Sequence, residues 1–296
     1  MKIIKGPHHT ITNDMPLTIT IGNFDGIHAG HQQLIERLML YPDTKHAVMT
    51  FDPHPLMTLR KNDIRTLTTT DDKIELLGAY VIDMLLVITF DEAFSTITIG
   101  DFIRFLERIN VKRVIIGRDA RFGYKGEGTV ADLEKVFEVV VVDDMLYHHT
   151  RVSSSYIKDL IREGDVKTAR TLLNRTYAIK GTVVPGNSVG RSLGFPTANI
   201  DYGRYVVPKS GVYHVKVRVN GVWHDGVANI GNNPTLNYSS DVRLEVYILD
   251  FDRRIYGESL DIAFLGYLRP EMKFPDKDAL IRQIESDVES VRKMTM

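Results

Sequence analysis

The amino-acid sequence predicts an α/β protein of two domains: a Rossmann-like domain on a parallel sheet, then an antiparallel β-barrel with a terminal helix. Strand-like and helix-like segments alternate in the first half, which is typical of a parallel sheet covered by helices on both faces. From Tyr177 onward, short strand-like segments follow one another, which is typical of a barrel. With 296 residues, the chain is long enough for two hydrophobic cores. We place the predicted domains at residues 1–176 and 177–296.

The first domain is predicted to contain five strands, at residues 17–21, 46–51, 84–89, 113–117 and 139–142. Apolar residues at helical spacing predict helices between them, at residues 32–40, 71–80, 99–109 and 129–137. In parallel sheets of this kind, ligands bind at the carboxyl ends of the strands. We therefore expect functional residues in the loops that follow the strands.

The second half begins with a predicted helical stretch at residues 153–173. Strands are then predicted at residues 178–184, 211–219, 222–229, 243–249 and 259–264. Residues 276–293 form a predicted closing helix with one apolar face, and Asp276 is its expected N-cap.

Composition excludes several functional classes. The net charge of −1 gives no general attraction to nucleic acid or to anionic membranes, so neither is expected as a partner. The chain has no cysteine, which excludes disulfides and thiolate metal sites and fits a reducing compartment. No apolar run has the length of a signal peptide core or a membrane span. The expected location is the cytoplasm, and the sequence makes no prediction of the oligomeric state.

The segment GNFDGIHAGH (residues 22–31) follows the first predicted strand and leads into a helix. His28 and His31 lie where the helix begins, and free N–H groups and the helix dipole favour an anion there. Two histidines at this spacing could also form a surface turn or an adventitious metal site, but no glutamate follows His28 as in zinc proteases. The combination of strand, glycine turn, histidines and helix favours a nucleoside triphosphate site. Its candidate residues are Gly22, Phe24, Asp25, His28, Gly30 and His31.

Three further segments of the first domain each allow a structural and a functional interpretation. TFDPHP (residues 50–55) either ends a strand or forms a stiff wall of the site. The glycine-rich loop at residues 117–128 is either a basic surface loop or a ligand loop in which Asp119 orients a hydroxyl or a base. RVSSSYIK (residues 151–158) either caps a helix or forms a phosphate cradle. The candidate cradle residues are Arg151, Ser154, Ser155 and Lys158.

In the second domain, a glycine-containing loop leads into Phe-Pro-Thr-Ala-Asn at residues 195–199. If this segment is extended, Thr197 and Asn199 project the same way and offer neutral oxygens suited to Mg²⁺ carried on nucleotide phosphates. The alternative is a hairpin loop followed by a strand. Glu245 lies opposite the apolar Leu244 and Val246, so it either faces solvent or faces the barrel mouth as a general base. By pattern alone, Arg269 is a surface charge.

Taken together, these segments resemble the bifunctional bacterial riboflavin kinase/FAD synthetase family over nearly the whole chain. Beyond the segments at 22–31, 50–55 and 151–158, the resembling motifs are GRDARFG (117–123), GRSLGFPTANI (190–200), VANIGNNPTL (227–236), LEVYILDF (244–251), IYG (255–257) and LRPEMKF (268–274). GRSLGFPTAN is highly specific, and the order and spacing of the motifs make a chance resemblance very improbable.

The resemblance implies an N-terminal HxGH nucleotidyltransferase that adenylylates FMN to FAD, and a six-stranded flavokinase barrel that phosphorylates riboflavin. Both reactions would use ATP with Mg²⁺. His28 and His31 would be catalytic in the first domain, and Glu245 would be the base in the second. The resemblance adds Pro53, Asp119 and Phe122 as flavin contacts of the first domain. It also adds Gly190, Gly194, Thr197, Asn199 and Arg269 as ATP or flavin contacts of the second.

Four positions depart from the family pattern. Ser155 replaces a threonine and Lys158 an arginine, and lysine cannot bind phosphate in a bidentate manner. Ala120 replaces a phenylalanine, and Gly126 stands near the place of a further arginine. The alternatives are therefore a riboflavin kinase with a weak or inactive adenylyltransferase domain, or a flavin-responsive binding or regulatory protein.

Overall fold

A computed structural model describes residues 1–60, 64–186, 190, 193–232 and 242–295. The chain divides into two compact units, Met1–Ser154 and Ser155–Met296. None of the helices in these described ranges is long and apolar enough to cross a membrane.

The first unit is built on a parallel sheet of six described strands in the order β1-β4-β3-β2-β5-β6. The strands are β1 (Lys2–Gly6), β2 (Leu17–Ile21), β3 (Lys45–Asp52), β4 (Met84–Thr89), β5 (Val111–Gly117) and β6 (Glu138–Val142). The five predicted strands are confirmed with small differences at their ends. β1 was not predicted, because its short sequence KIIKG lacks a continuous apolar run.

The helices of this unit are α1 (Ala29–Leu38), α2 (Pro55–Arg60), α3 (Thr70–Leu77), α4 (Glu92–Ser95), α5 (Ile99–Arg108) and α6 (Val130–Glu134). A two-stranded hairpin follows, formed by β7 (Leu146–Tyr147) and β8 (Thr150–Arg151). The four predicted helices are confirmed, but the short α2 and α4 were missed. Helix α1 begins three residues before its predicted start, because His28 caps it and accepts a hydrogen bond from the His31 N–H at 3.4 Å.

Two apolar layers hold this sheet from opposite faces. Successive residues of a strand point to opposite faces, so on β3 Ala47 and Met49 join one core cluster while Val48 joins the other. The first cluster includes Phe102 and Phe105 of α5, and the second includes Leu77 of α3. The predicted arrangement of helices on both faces is therefore confirmed.

The second unit is a closed antiparallel barrel of six described strands in the cyclic order β10-β13-β12-β11-β14-β9. The strands are β9 (Ala178–Val184), β10 (Thr197–Asp201), β11 (Gly211–Val219), β12 (Val222–Asn232), β13 (Val242–Ile248) and β14 (Ser259–Arg269). The predicted barrel is confirmed, and the segment at Thr197 is extended, as its functional interpretation requires.

Helices precede and follow this barrel. The predicted helical stretch at 153–173 is in fact two helices, α7 (Ser154–Arg162) and α8 (Val166–Leu173). They are separated because Gly164 adopts a left-handed backbone (φ 82°) and the Asp165 carboxylate then accepts from the Thr168 N–H at 3.0 Å. The closing helix α9 (Lys277–Thr295) starts as predicted, with the Asp276 carboxylate accepting from the Ala279 N–H at 2.7 Å.

Candidate functional site

The turn between β2 and α1, residues 22–28, has a tightly constrained backbone. Phe24 (φ 49°) and Ile27 (φ 40°) both adopt left-handed conformations, which cost about 1–2 kcal/mol for a residue that is not glycine. Both side chains are completely or almost completely buried, and each such burial contributes roughly 1.5–3 kcal/mol. The apolar contacts therefore offset the strain and fix the shape of the turn.

Asp25 anchors this turn from within. Its carboxylate is 1% exposed, and Oδ1 accepts from the backbone N–H groups of Leu67 and Thr68 at 2.8 and 3.1 Å. The Gly26 N–H also donates to the Thr68 hydroxyl at 2.8 Å. Phe24 and Asp25 were predicted to contact the nucleotide. The structure shows that their buried side chains shape the turn, and a nucleotide contact of either residue stays a prediction.

The two histidines of the motif lie together at the start of α1. Their rings stack with centroids 3.6 Å apart, and a Cβ on Gly30 would lie 3.3 Å from the His28 ring. Gly30 therefore makes room for His28 in this structure. Nδ1 of His31 is buried and has no hydrogen-bond partner among the described residues.

The charge state of His31 follows from its surroundings. Burial first, and then the nearby His28, Lys73 and Arg151, hold the pKa of His31 well below its usual value. His31 is therefore a neutral imidazole at neutral pH before any substrate binds. A bound phosphate would favour the protonated form.

Two residues that the sequence analysis missed lie beside this turn. Lys73 on α3 is 3% exposed, and its Nζ donates to Oγ1 of Thr50 on β3 at 3.4 Å. The Thr50 hydroxyl in turn donates to the Asn23 carbonyl at 3.1 Å. The available signal was the polar Thr50 at the end of an apolar strand; nothing in the helical pattern of α3 marks Lys73 as buried.

The structure brings two predicted site residues from distant segments into direct contact. Nη2 of Arg151 donates to Oδ1 of Asp119 at 2.7 Å, and its Nε donates to Oδ1 of Asp144 at 2.9 Å. The hydrogen bond from Arg151 lowers the pKa of Asp119, and Asp119 raises the pKa of Arg151. Both side chains are about half exposed, so an incoming phosphate can compete with the carboxylates for Arg151.

The serines after Arg151 have separate roles. Because α7 begins at Ser154, neither Ser154 nor Ser155 is its N-cap, and that interpretation is corrected. Instead, the Ser154 hydroxyl donates to the Asp25 carbonyl at 2.8 Å, a contact within the first unit. Ser155 and Lys158 lie in the second unit, and their phosphate contacts stay a prediction.

Of the predicted flavin contacts, Phe122 is packed against the core and Pro53 is exposed. Phe122 packs against Phe102 with ring centroids 5.0 Å apart, and a Cβ on Gly128 would lie only 2.7 Å from its ring. Its ring therefore holds residues 117–128 against the core, a packing role that the sequence did not reveal. Pro53 is exposed directly after β3, and Gly22 lies directly after β2.

The barrel carries the second candidate site on its outer surface. Asn199 on β10 and Asn229 on β12 are both register partners of Glu245 on β13, so the three lie in one row. Oγ1 of Thr197, two residues from Asn199, lies 3.5 Å from Oε2 of Glu245, and Nη1 of Arg243 donates to Oε1 at 3.2 Å. These polar groups form one continuous cluster.

The structure shows which way the side chain of Glu245 points, and its role as a general base stays a prediction. Leu244 and Val246 are fully buried inside the barrel, so Glu245 points outward. Its side chain is nevertheless only 26% exposed, because it lies among polar neighbours. The barrel-mouth expectation is corrected: the cluster is on the outer wall.

Glycines permit the close approach of the preceding loop to this cluster. A Cβ on Gly186 would overlap the side-chain amide of Asn199, and one on Gly190 would lie 3.0 Å from Oγ1 of Thr197. Gly194 has a left-handed backbone (φ 88°). Arg191 and Ser192 of this motif, and residues 233–236 of another, lie outside the described residues.

Arg269 was predicted to bind ATP or flavin; the structure shows it in contact with the closing helix, and a substrate contact stays a prediction. Its guanidinium forms a forked ion pair with Asp287 of α9, with Nη2 2.8 Å from Oδ2 and Nε 3.0 Å from Oδ1. Nη1 donates to the Pro270 carbonyl at 3.0 Å. The side chains are only 16% and 7% exposed, so Arg269 fastens α9 to β14.

Comparisons with known proteins agree with this division into two sites. The family model described as FAD synthetase matches residues 10–156, and the one described as riboflavin kinase matches residues 173–295. Three similar curated proteins share the name bifunctional riboflavin kinase/FMN adenylyltransferase. They come from Listeria monocytogenes (40% identical, covering 96% of both chains), Haemophilus influenzae (38%, covering 99% of this chain and 98% of the relative) and Bacillus subtilis (36%, covering 96% and 94%).

A solved structure also matches the chain along its length. A crystal structure from Streptococcus pneumoniae, titled a macrolide-efflux protein, aligns with a TM-score of 0.89 at 30% identity over 99% of both chains. Its title names an efflux protein, whereas the curated relatives are named for two enzyme activities. The predicted order of the two domains is confirmed by the family models.

Proposed function

The chain belongs to the family of bifunctional riboflavin kinases/FMN adenylyltransferases, and we propose that its two domains act in succession on one flavin. The barrel converts riboflavin and ATP to FMN and ADP. The N-terminal domain converts FMN and ATP to FAD and pyrophosphate. The observation that carries the proposal is the presence of two separately built sites, one around His28 and His31 and one around Glu245.

In the kinase reaction, Glu245 acts as general base. It accepts the proton of the terminal ribityl hydroxyl while that oxygen attacks the γ-phosphorus of ATP, and ADP leaves. Arg243 donates to one carboxylate oxygen and leaves the other directed toward Thr197, which supports this role. A base held in this way needs no reorientation when the hydroxyl arrives.

Mg²⁺ enters this site with ATP as part of the substrate. Thr197 and Asn199 supply neutral oxygens, which fit a magnesium ion already held by phosphates better than a free ion. No cluster of three or more acidic, histidine or cysteine side chains that could hold a metal occurs in the described ranges. We therefore propose Thr197 and Asn199 as contacts of magnesium-bound ATP, where the ion neutralises phosphate charge.

In the adenylyltransferase reaction, a phosphate oxygen of FMN attacks the α-phosphorus of ATP. The bond from that phosphorus to the β-phosphate oxygen breaks, and pyrophosphate leaves. His28, His31 and Arg151 hold the phosphates at the N-terminus of α1, so catalysis is mainly positioning and charge stabilisation. Ser155 and Lys158 are proposed as further phosphate contacts from α7.

The domain boundary and location are also proposals. The FAD synthetase model ends at residue 156, inside α7, and the riboflavin kinase model begins at residue 173, the last residue of α8. We place the end of the N-terminal catalytic segment after these helices, at residue 176. The absence of cysteine in the sequence supports a reducing compartment, and we propose the cytoplasm.

Chromatographic separation of flavins tests this function. Purified protein is incubated with Mg·ATP and either riboflavin or FMN, and the products are quantified over time. We expect riboflavin to give FMN and then FAD, and FMN to give FAD with release of pyrophosphate. Unchanged flavin in both reactions would contradict the proposal and support the binding-protein alternative.

One observation favours the second candidate, a kinase with a weak adenylyltransferase. Gly126 has a left-handed backbone (φ 70°), which glycine adopts without the steric cost that an arginine would have. The loop therefore favours glycine near the position where the family pattern has a cation. FMN accumulation from riboflavin with only slow formation of FAD would support this candidate.

A further inference from the structure

Lys73 is a buried titratable group that the proposed mechanism does not use. It is 3% exposed on α3, in a domain whose other function-bearing cation, Arg151, is about half exposed. Burying an ammonium group is unfavourable unless polar neighbours hold it. The cost of burying Lys73 must therefore be offset by its contacts or by a role in the function of the domain.

The hydrogen bonds of Lys73 lead to the phosphate-binding turn. Its Nζ donates to Oγ1 of Thr50 at 3.4 Å, and the Thr50 hydroxyl donates to the Asn23 carbonyl at 3.1 Å. Because the single hydroxyl proton is directed to the carbonyl, Thr50 must accept from its other neighbour, and an ammonium can only donate. The direction of the chain is thus fixed from α3 through β3 to the turn.

Lys73 also acts on His31 electrostatically. The charged and titratable groups facing His31 are His28 on the capping position, Lys73 on α3 and Arg151 on β8, and each lowers the pKa of His31 together with burial. The same positive charges attract a polyphosphate to this turn. The charge of Lys73 is held in place before substrate arrives.

We propose that Lys73 is a positioning residue of the adenylyltransferase site, holding the 22–28 turn in shape through Thr50 and adding a fixed positive charge close to the two histidines. The proposal rests on the proposed function of this domain. It assigns Lys73 no contact with the reacting atoms. Its effect passes through Thr50, Asn23 and His31.

The first test compares Lys73→Met with Lys73→Arg. Lys73→Met keeps the length of the side chain and removes the charge, and we expect kcat/KM for FMN adenylylation to fall by roughly 100-fold, the scale of a slightly misplaced site. Lys73→Arg is expected to restore part of this loss. The matched control is Lys45→Met, which removes an exposed lysine paired with Asp83 and should change the rate less than about twofold.

Riboflavin phosphorylation takes place in the barrel and does not report on the N-terminal domain, so the fold of each variant is checked by far-UV circular dichroism and thermal unfolding of the full chain. If Lys73→Met is not folded, Thr50→Val decides the question, because it removes the hydroxyl link and keeps the shape. Loss of FAD synthesis in folded Thr50→Val, with kinase activity retained, supports the proposal. Wild-type FAD synthesis in either folded Lys73→Met or folded Thr50→Val overturns it.

The second test is an NMR titration of the His31 ring, assigned with a His31→Gln variant. Removing the charge in Lys73→Met should raise the pKa of His31 toward its ordinary value, and Lys73→Arg should keep it low. An unchanged pKa of His31 in Lys73→Met overturns the proposal. This measurement needs no catalysis, so it tests the role of Lys73 separately from the proposed function. The proposed function of the domain is tested by the wild-type protein and fails if that protein makes no FAD from FMN.

Discussion

Arg269→Met is the substitution that best separates the structure from the motif-based expectation. The motif predicts a substrate contact, whereas the structure shows a forked ion pair with Asp287. If the structure is right, the substitution removes one partner of a buried pair and destabilises the barrel domain. If the motif expectation is right, it weakens substrate binding and leaves stability unchanged.

The size of the effect follows from burial. Removing one partner of a buried ion pair costs roughly 3–5 kcal/mol, because the remaining charge is left uncompensated. We expect the lower end, about 3 kcal/mol, since Arg269 is 16% exposed and Gln283 still donates to Asp287 at 3.0 Å. Replacing both partners, Arg269→Met with Asp287→Leu, should recover much of this loss, because no lone charge stays buried.

Trp223 makes the assay specific for one domain. It is the single tryptophan of the chain and lies on β12, so its fluorescence during urea unfolding reports the barrel. The control is Glu289→Gln, which breaks an exposed ion pair with Lys293 on the same helix and should leave the midpoint unchanged. An unchanged Trp223 transition in Arg269→Met, with a raised KM for riboflavin or ATP, would refute the reasoning.

Three further predictions concern single residues. Glu245→Gln should reduce FMN formation by about 100-fold or more, the contribution of a general base, and spare FMN adenylylation; equal loss of both in folded protein would contradict the assignment. His28→Ala should do the reverse, with FAD formation reduced by about 100-fold or more and riboflavin kinase activity retained as the control. Hydrogen bonds from Lys135 and then from Thr129 lower the pKa of Asp132 to about 2. The ionised carboxylate therefore stabilises the folded protein above the unfolded pKa of about 4, and this stabilisation is lost as the pH falls through about 2. An NMR titration of the Asp132 carboxyl should therefore show a midpoint near 2, and a midpoint near 4 would contradict the hydrogen bonds of this helix cap.

The fold was predictable where local pattern and tertiary packing agree. The buried strands β2 and β4 have the predicted ends: Pro16 and Gly22 flank the first, while Asp83 precedes the second and the polar Thr89 ends it. The single helix predicted at 153–173 failed because apolar periodicity continues across Gly164, whose left-handed backbone ends α7. Periodicity reports which face is buried and does not report where a helix stops.

The residues of the candidate sites could be selected from the sequence, whereas their contacts could not. Motif and order along the chain select His28, His31, Thr197, Asn199 and Glu245, whose roles stay predictions. Their supporting contacts depend on residues far apart in sequence, so no local pattern reveals them. Arg269 pairs with a residue eighteen positions away, and Lys73 meets Thr50 across twenty-three.

A mixing experiment tests the central claim, two independent sites acting in succession, most directly. Glu245→Gln and His28→Ala are each incubated with riboflavin and Mg·ATP, first alone and then together, and FAD is quantified. The account predicts no FAD from Glu245→Gln, FMN without FAD from His28→Ala, and FAD from the mixture, because FMN made by one variant is used by the other. A mixture of folded variants that makes FMN but no FAD, while Glu245→Gln alone converts added FMN poorly, would contradict it.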